Sequence, residues 1–167
     1  IQENPSLNSA WETVPLVGRD LNWGLTVRKE LNSYNQIAQD AIKISALATS
    51  GPFMINSQNE SGYLVKGGAL ESIKWDVANT DINPIGESEV IISMSTDGGA
   101  TFPITLADEV PNIGSVKVII PNNIDTSSTR IKVKTKSGTF IAINQKDFSN
   151  QSRDLALNFD SYIRENC

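Results

Sequence analysis

The sequence predicts an all-β fold, and three observations carry that expectation. Apolar and polar residues alternate with a period of two in several separate runs. Clusters of Asn, Asp, Gly, Pro and Ser interrupt those runs at short intervals. About seven such runs fit into roughly 100 residues, which is the strand density of an immunoglobulin- or fibronectin-type sandwich. The expected architecture is that sandwich, with an N-terminal β-hairpin extension and a short C-terminal helix.

The sandwich is expected over residues 51–149. "ESIKWDV" puts Ile73, Trp75 and Val77 on one face and Ser72, Lys74 and Asp76 on the other. Val90, Ile92 and Met94 repeat the pattern, as do Phe102, Ile104 and Leu106, then Val116, Val118 and Ile120, then Ile131 and Val133. "FMINSQ" opens the series and "TFIAIN" closes it. Successive side chains of a strand point to opposite faces, so this period describes a sheet with one face buried. Between the runs lie "NTDINPIGES", "TDGG", "PNIGS", "PNNIDTSS" and "KSG", which are turn chemistry.

Residues 1–50 read as the closing strands of a preceding β segment. "LNWGLTVRKEL" places Leu21, Trp23, Leu25 and Val27 on one side, an alternation that argues for Trp23 in a core. "QDAIKISALA" reads as a strand through Ile42, Ile44 and Ala46, or as a helix with Ile37, Ala41 and Ala48 on one face, and period alone leaves both open. Two strands here make a hairpin linked through "NSYNQ". Gly51 and Pro52 interrupt both periods and mark the junction. Residues 150–167 form a short helix or linker: Leu155, Phe159, Tyr162 and Ile163 fall at helical spacing, and Ser152 with Asp154 suits a helix start.

Composition narrows the function classes. In 167 residues, 39% are hydrophobic and 20% charged, enough apolar material for a packed core rather than a disordered chain. A net charge of −5 with only scattered lysines argues against a nucleic-acid partner, which needs a positive surface. No apolar run reaches the roughly 18 residues that span a bilayer. The start "IQENPSLNSAWE" has no methionine, basic region or apolar region, so a mature or excised piece is expected, with any targeting signal outside it. The one cysteine, Cys167, leaves no internal disulfide. There is no histidine, which removes the commonest general base and zinc ligand.

The succession "TSGPFMINSQ", "IKWDVANTDINPI", "VIISMSTDGGATFPITLADEVPNIGSVKVIIPN" and "STRIKVKTKSGTFIAINQKDFS" resembles a module found downstream of the catalytic domain in secreted bacterial reprolysin-like zinc metalloproteases. "AWETVPLVGRDLNWGLTVRKE" with "AQDAIKISALATSGPF" is similar to the closing strands of the segment before it. The resemblance spans Trp11 to Ser149 and favours strands for residues 39–48. Proteolysis in such proteins needs H-E-x-x-H, and a chain without histidine lacks it. The resemblance therefore implies the accessory region, in a secreted or cell-surface parent, with no catalytic residue to carry over.

Several residue sets are candidates for chemistry. "STDGGATF" matches the Asp-box pattern, in which Ser95, Asp97, Gly99 and Thr101 lock a turn and Phe102 packs beneath it. A calcium ion wants six to eight oxygens, and Asp81, Asn83, Glu87 and Glu89 supply carboxylates and an amide close together, although Ile85 stands where an EF-hand needs a ligand. Trp75 reads as core. Trp11 is the one aromatic nominated for ligand contact. The adjacent Asp108 and Glu109 point apart on a strand and read as a solvated rim rather than a glycosidase pair. Sequons stand at Asn59 and Asn150.

These features predict a non-catalytic accessory module without a cofactor, acting in stability, spacing or docking, with the parent's catalytic domain or an extracellular protein or glycan surface as partner. The rival from another class is an adhesion or carbohydrate-binding module; a small hydrolase using acidic residues alone is a third. The hairpin over residues 21–48 cannot bury its apolar face by itself. Deleting residues 1–50 is expected to change the melting temperature or the oligomeric state, measured by calorimetry and sedimentation; no change in either would refute that expectation.

Overall fold

The structure is a computed structural model that describes residues 17–31 and 34–153. Trp11 and the helical positions expected from Leu155 to Ile163 lie outside the described residues. The chain divides into two compact units, Ile1–Gly51 and Pro52–Cys167.

The first unit holds a two-stranded antiparallel ribbon of β1 (Arg19–Leu31) and β2 (Tyr34–Ala46), paired from Arg19 opposite Ala46 to Leu31 opposite Tyr34. Residues 39–48 are thus strand through Ala46, not helix. The expected linker "NSYNQ" is shorter than thought, because β2 already begins at Tyr34. Opposed residues of an antiparallel pair share a face. The register therefore gathers Leu21, Trp23, Leu25 and Val27 with Ile44, Ile42, Asp40 and Ala38 on one side. Asp20, Lys43 and Ser45 share the other, where Lys43 lies 2.8 Å from Asp20 and the Ser45 hydroxyl donates to Asp20 at 2.6 Å. The amphipathic pattern is as expected, but a core place for Trp23 is not: it is 60% exposed, and Ile42 is 63% exposed. Alternation specifies a face; it cannot supply the second layer that would cover it.

The second unit is all-β, with nine strands among the described residues. They are β3 (Met54–Ile55), β4 (Leu64–Lys66), β5 (Leu70–Asp76), β6 (Glu89–Ser95), β7 (Ile104–Pro111), β8 (Ser115–Ile119), β9 (Thr126–Thr135), β10 (Ile141–Ile143) and β11 (Phe148–Gln151). Two exceed the expected seven. β4 and β11 have three and four residues, too few for a period to show. β11 also runs across the boundary expected at residue 149 and pairs with β4 in parallel.

One sheet has the order β3-β5-β8; the other runs β4-β11-β9-β6-β7, with β10 also on β9. Their inner faces form one core of Phe53, Ile55, Ile73, Trp75 and Val118 from the smaller sheet's side, and Val65, Val90, Ile92, Met94, Ile131, Val133 and Phe148 from the larger's. Ile73, Trp75, Val90, Ile92, Met94, Val118, Ile131 and Val133 match inward positions of the period-two runs. β7 carries a bulge against β6, and Glu109 takes a φ of 47° there. A bulge re-aims the side chains around it.

Two buried asparagines hold the connections. Asn112, in the segment between β7 and β8, accepts the Trp75 indole N–H at 2.8 Å. Its amide nitrogen donates to the Thr80 hydroxyl at 3.0 Å and the Glu87 carbonyl at 2.9 Å. Asn144 accepts the Ile131 N–H at 2.7 Å and donates to the carbonyls of Gln58 and Lys146. Replacing Asn112 by Ala strands the Trp75 N–H in the core, and the expected loss is about 1–3 kcal/mol in urea denaturation. In a Trp75→Phe background, which lacks the donor, the same substitution is expected to cost less. Equal costs in the two backgrounds would contradict this coupling.

Candidate functional site

The Asp97 turn joins β6 to β7 across residues 95–102. The Ser95 hydroxyl donates to Asp97 Oδ1 at 2.6 Å and accepts the Gly99 N–H at 2.9 Å. Thr101 donates its N–H to Oδ1 at 2.9 Å and its hydroxyl to Oδ2 at 2.6 Å. Gly98 and Gly99 take φ of 73° and 92°, where a side chain is strained. The turn is tied to the start of β9 by the Gly98 N–H donating to the Ser128 carbonyl at 2.8 Å and the Thr126 hydroxyl donating to the Thr96 carbonyl at 3.2 Å. Phe102 lies before β7, half-buried, with the Lys132 ammonium 4.4 Å from its ring centre. The five residues of the Asp-box pattern therefore do meet in one turn.

Electrostatics defines what this turn can do. The Ser95 hydroxyl, then the Thr101 hydroxyl and N–H, hold the Asp97 carboxyl far below the usual carboxylate range. Both its oxygens accept hydrogen bonds within the turn, and the Ser95 hydroxyl that donates to one of them is buried. The Ser–Asp pair is a lock, not a nucleophile with its base.

Asp81, Asn83, Glu87 and Glu89 are not brought together as a ligand set. The Glu87 carboxylate accepts the hydroxyls of Ser137 and Thr139. Glu89 and Glu109 both accept from the Lys136 ammonium, at 2.8 and 3.1 Å. The hydrogen bonds it donates to these two carboxylates raise Lys136 above the usual lysine range. An open depression of about 410 Å³ there is lined by Gly86 to Glu89 with Lys136 and Ser137. Among the described residues, no group of three or more His, Cys, Asp or Glu side chains is placed to hold a metal.

Glu109 is drawn to Lys136 rather than paired with Asp108. Trp75 is buried, as its alternation predicts. The sequon amides are occupied: Asn59 donates to the Ile55 carbonyl, and the buried Asn150 donates to the Pro121 carbonyl. Sequence reasoning passed over a second polar group, in which the Tyr63 hydroxyl donates to Glu71 at 2.8 Å and Gln58 approaches the same carboxylate at 3.4 Å. That hydrogen bond to Glu71, with burial, raises the Tyr63 hydroxyl above its usual range. Nothing local in the sequence links these residues, because the contact joins separate loops and strands. Among the described residues no helix is long and apolar enough to cross a membrane.

Comparison with protein-family models, curated proteins and solved structures finds no match for this chain.

The depressed Asp97 value fixes a sign. Stability from a carboxylate with a lowered folded-state value is fully present above its unfolded value and is lost as pH falls through the folded one. Asp97→Asn is therefore expected to melt below the wild type at neutral pH. The gap should persist down to the ordinary aspartate range, about pH 4, and close only in stronger acid. Thermal melts of both proteins across pH check this; a gap that closed well above that range would contradict the lock.

Proposed function

We propose that this chain is a non-catalytic accessory β-sandwich of a secreted, metalloprotease-like protein, working in stability, spacing or docking. The observation that carries this reading is the use of Asp97. The strongest constellation of hydroxyls and carboxylate in the sequence is a turn lock, with both carboxylate oxygens accepting hydrogen bonds from within the turn. The buried asparagines serve the fold in the same way, holding loops by their amides. The parentage in a metalloprotease-like protein rests on the motif succession from Trp11 to Ser149.

One observation favours the rival reading, an adhesion or carbohydrate-binding module. Trp23 is exposed on the side of the β1–β2 ribbon that carries most of its apolar residues, and an exposed tryptophan can stack against a sugar ring. A glycan array with wild type and Trp23→Ala separates the two. Glycan binding lost in the variant would favour the rival; no glycan binding is expected for the accessory module. Assays on casein and on polysaccharides are expected to give no turnover, and turnover by the purified chain would overturn the non-catalytic reading. The genomic sequence upstream is expected to encode an H-E-x-x-H motif.

A further inference from the structure

The run "TRIKVKTK" carries cations at every second position, Arg130, Lys132, Lys134 and Lys136. Its inward residues, Thr129, Ile131, Val133 and Thr135, are buried, so the four cations share the outer face of the larger sheet. β9 is an interior strand of that sheet, flanked by β6 on one side and by β10 and β11 on the other. The register sets Lys134 between Ile91 and Ile141, and Lys132 between Ser93 and Ile143.

The two ends of this line are neutralised from within the chain. Arg130 pairs with Asp147 and donates to the Asn144 carbonyl at 3.0 Å. Lys136 pairs with Glu89 and Glu109. The two middle cations have no carboxylate in salt-bridge range among the described residues, and Lys132 has only the face of Phe102. Both are half-buried rather than extended into solvent. Like charges roughly 7 Å apart on one strand face repel, and setting them among isoleucines adds desolvation. Burial first, and then Lys134, indeed hold the Lys132 ammonium below the usual lysine range. An ordinary solvated surface accounts for exposed lysines; it does not account for two that are half-buried, adjacent and uncompensated in a chain of net charge −5.

The geometry points to an interaction surface on the outer face of the larger sheet, centred on Lys132 and Lys134, for an extended acidic peptide segment of a partner protein. Alternate side chains of an extended segment lie about 7 Å apart, the spacing of the two ammonium-bearing positions. Glutamates at alternate positions would set two carboxylates on the lysines and lay their methylene stems over Ile91, Ile141 and Ile143. Those isoleucines favour a peptide over a sulfated glycan, which would bring little aliphatic carbon to cover them. This inference rests on the docking reading above and names the partner's chemistry.

The test uses the full chain and a fluorescein-labelled synthetic peptide of alternating glutamate and serine, read by fluorescence anisotropy. Binding is expected to weaken as salt rises to about 1 M, where the screening length is ~3 Å. The double variant Lys132→Ser, Lys134→Ser is expected to weaken it roughly tenfold by removing two ion pairs. Its melting temperature should not fall, because the substitutions relieve repulsion. The control pair Lys74→Ser, Lys117→Ser removes the same charge from the outer face of the smaller sheet and should leave binding unchanged. Equal binding by the two double variants, no binding by wild type, or preference for heparin over the peptide would each overturn the surface. Wild-type self-association that the Lys132/Lys134 variant abolishes would overturn the separate partner in favour of a second copy. Turnover in the hydrolase assays would sink the accessory reading without touching peptide binding, so the two failures are distinguishable.

Discussion

The hydrogen bond from the Trp75 indole to the Asn112 carboxamide, 2.8 Å long and buried, is the constraint on which one end of the sandwich depends. Trp75 is the largest side chain between the sheets, and its ring cannot enter the core unless its N–H finds an acceptor there. The segment leaving the larger sheet after β7 supplies that acceptor just before β8 begins the return in the smaller one. The Asn112 amide then uses its own donors on Thr80 and on the Glu87 carbonyl. One side chain thereby joins two sheets and the long 77–88 connection. The places of Glu87, Glu89 and Lys136 follow from that arrangement, since the connection runs directly into β6.

The other end is organised by charge rather than by burial. Asp97 is exposed to solvent, yet five hydrogen bonds converge on the Ser95 hydroxyl and the Asp97 carboxylate, and two more tie the turn to the start of β9. Asn144 plays the matching part on the far side of β9, where its amide replaces a ladder partner for Ile131 and reaches the Gln58 carbonyl. Polar side chains thus do the local work of the loops. The apolar residues of β5, β6, β8 and β9 carry the burial that stabilises the whole unit. A molecule arranged this way has these polar groups committed to shape.

The sheet faces show where sequence reading succeeds and where it stops. The inward positions Ile73, Trp75, Val90, Ile92, Met94, Val118, Ile131 and Val133 were all legible as a period of two, because each strand is long enough to repeat it. β4 and β11 were not legible, because each carries a single inward apolar residue, Val65 or Phe148, and so shows no apolar alternation. Trp23 was misplaced for a different reason: the same alternation describes a face covered by a second sheet and a face left exposed among the described residues. The stripe from Arg130 to Lys136 was present in the sequence as alternation too. It passed as scattered lysines, because the partners that neutralise its ends come from β6, β7 and the segment before β11, far away in the chain.

The sequence by itself determined the all-β class, the core face of β5, β6, β8 and β9, and the five residues of the Asp97 turn. Each of these depends on interactions within a few residues or on the two-residue period of an extended backbone. Only the tertiary structure decided which carboxylates meet which cations, which asparagines enter the core, and which lysines are left without a counter-charge. Those outcomes depend on strand order and register, which bring together residues separated by as many as 86 positions, as between Gln58 and Asn144. Local pattern carries no information about such pairings, because a strand's own alternation is the same whichever neighbour it finds.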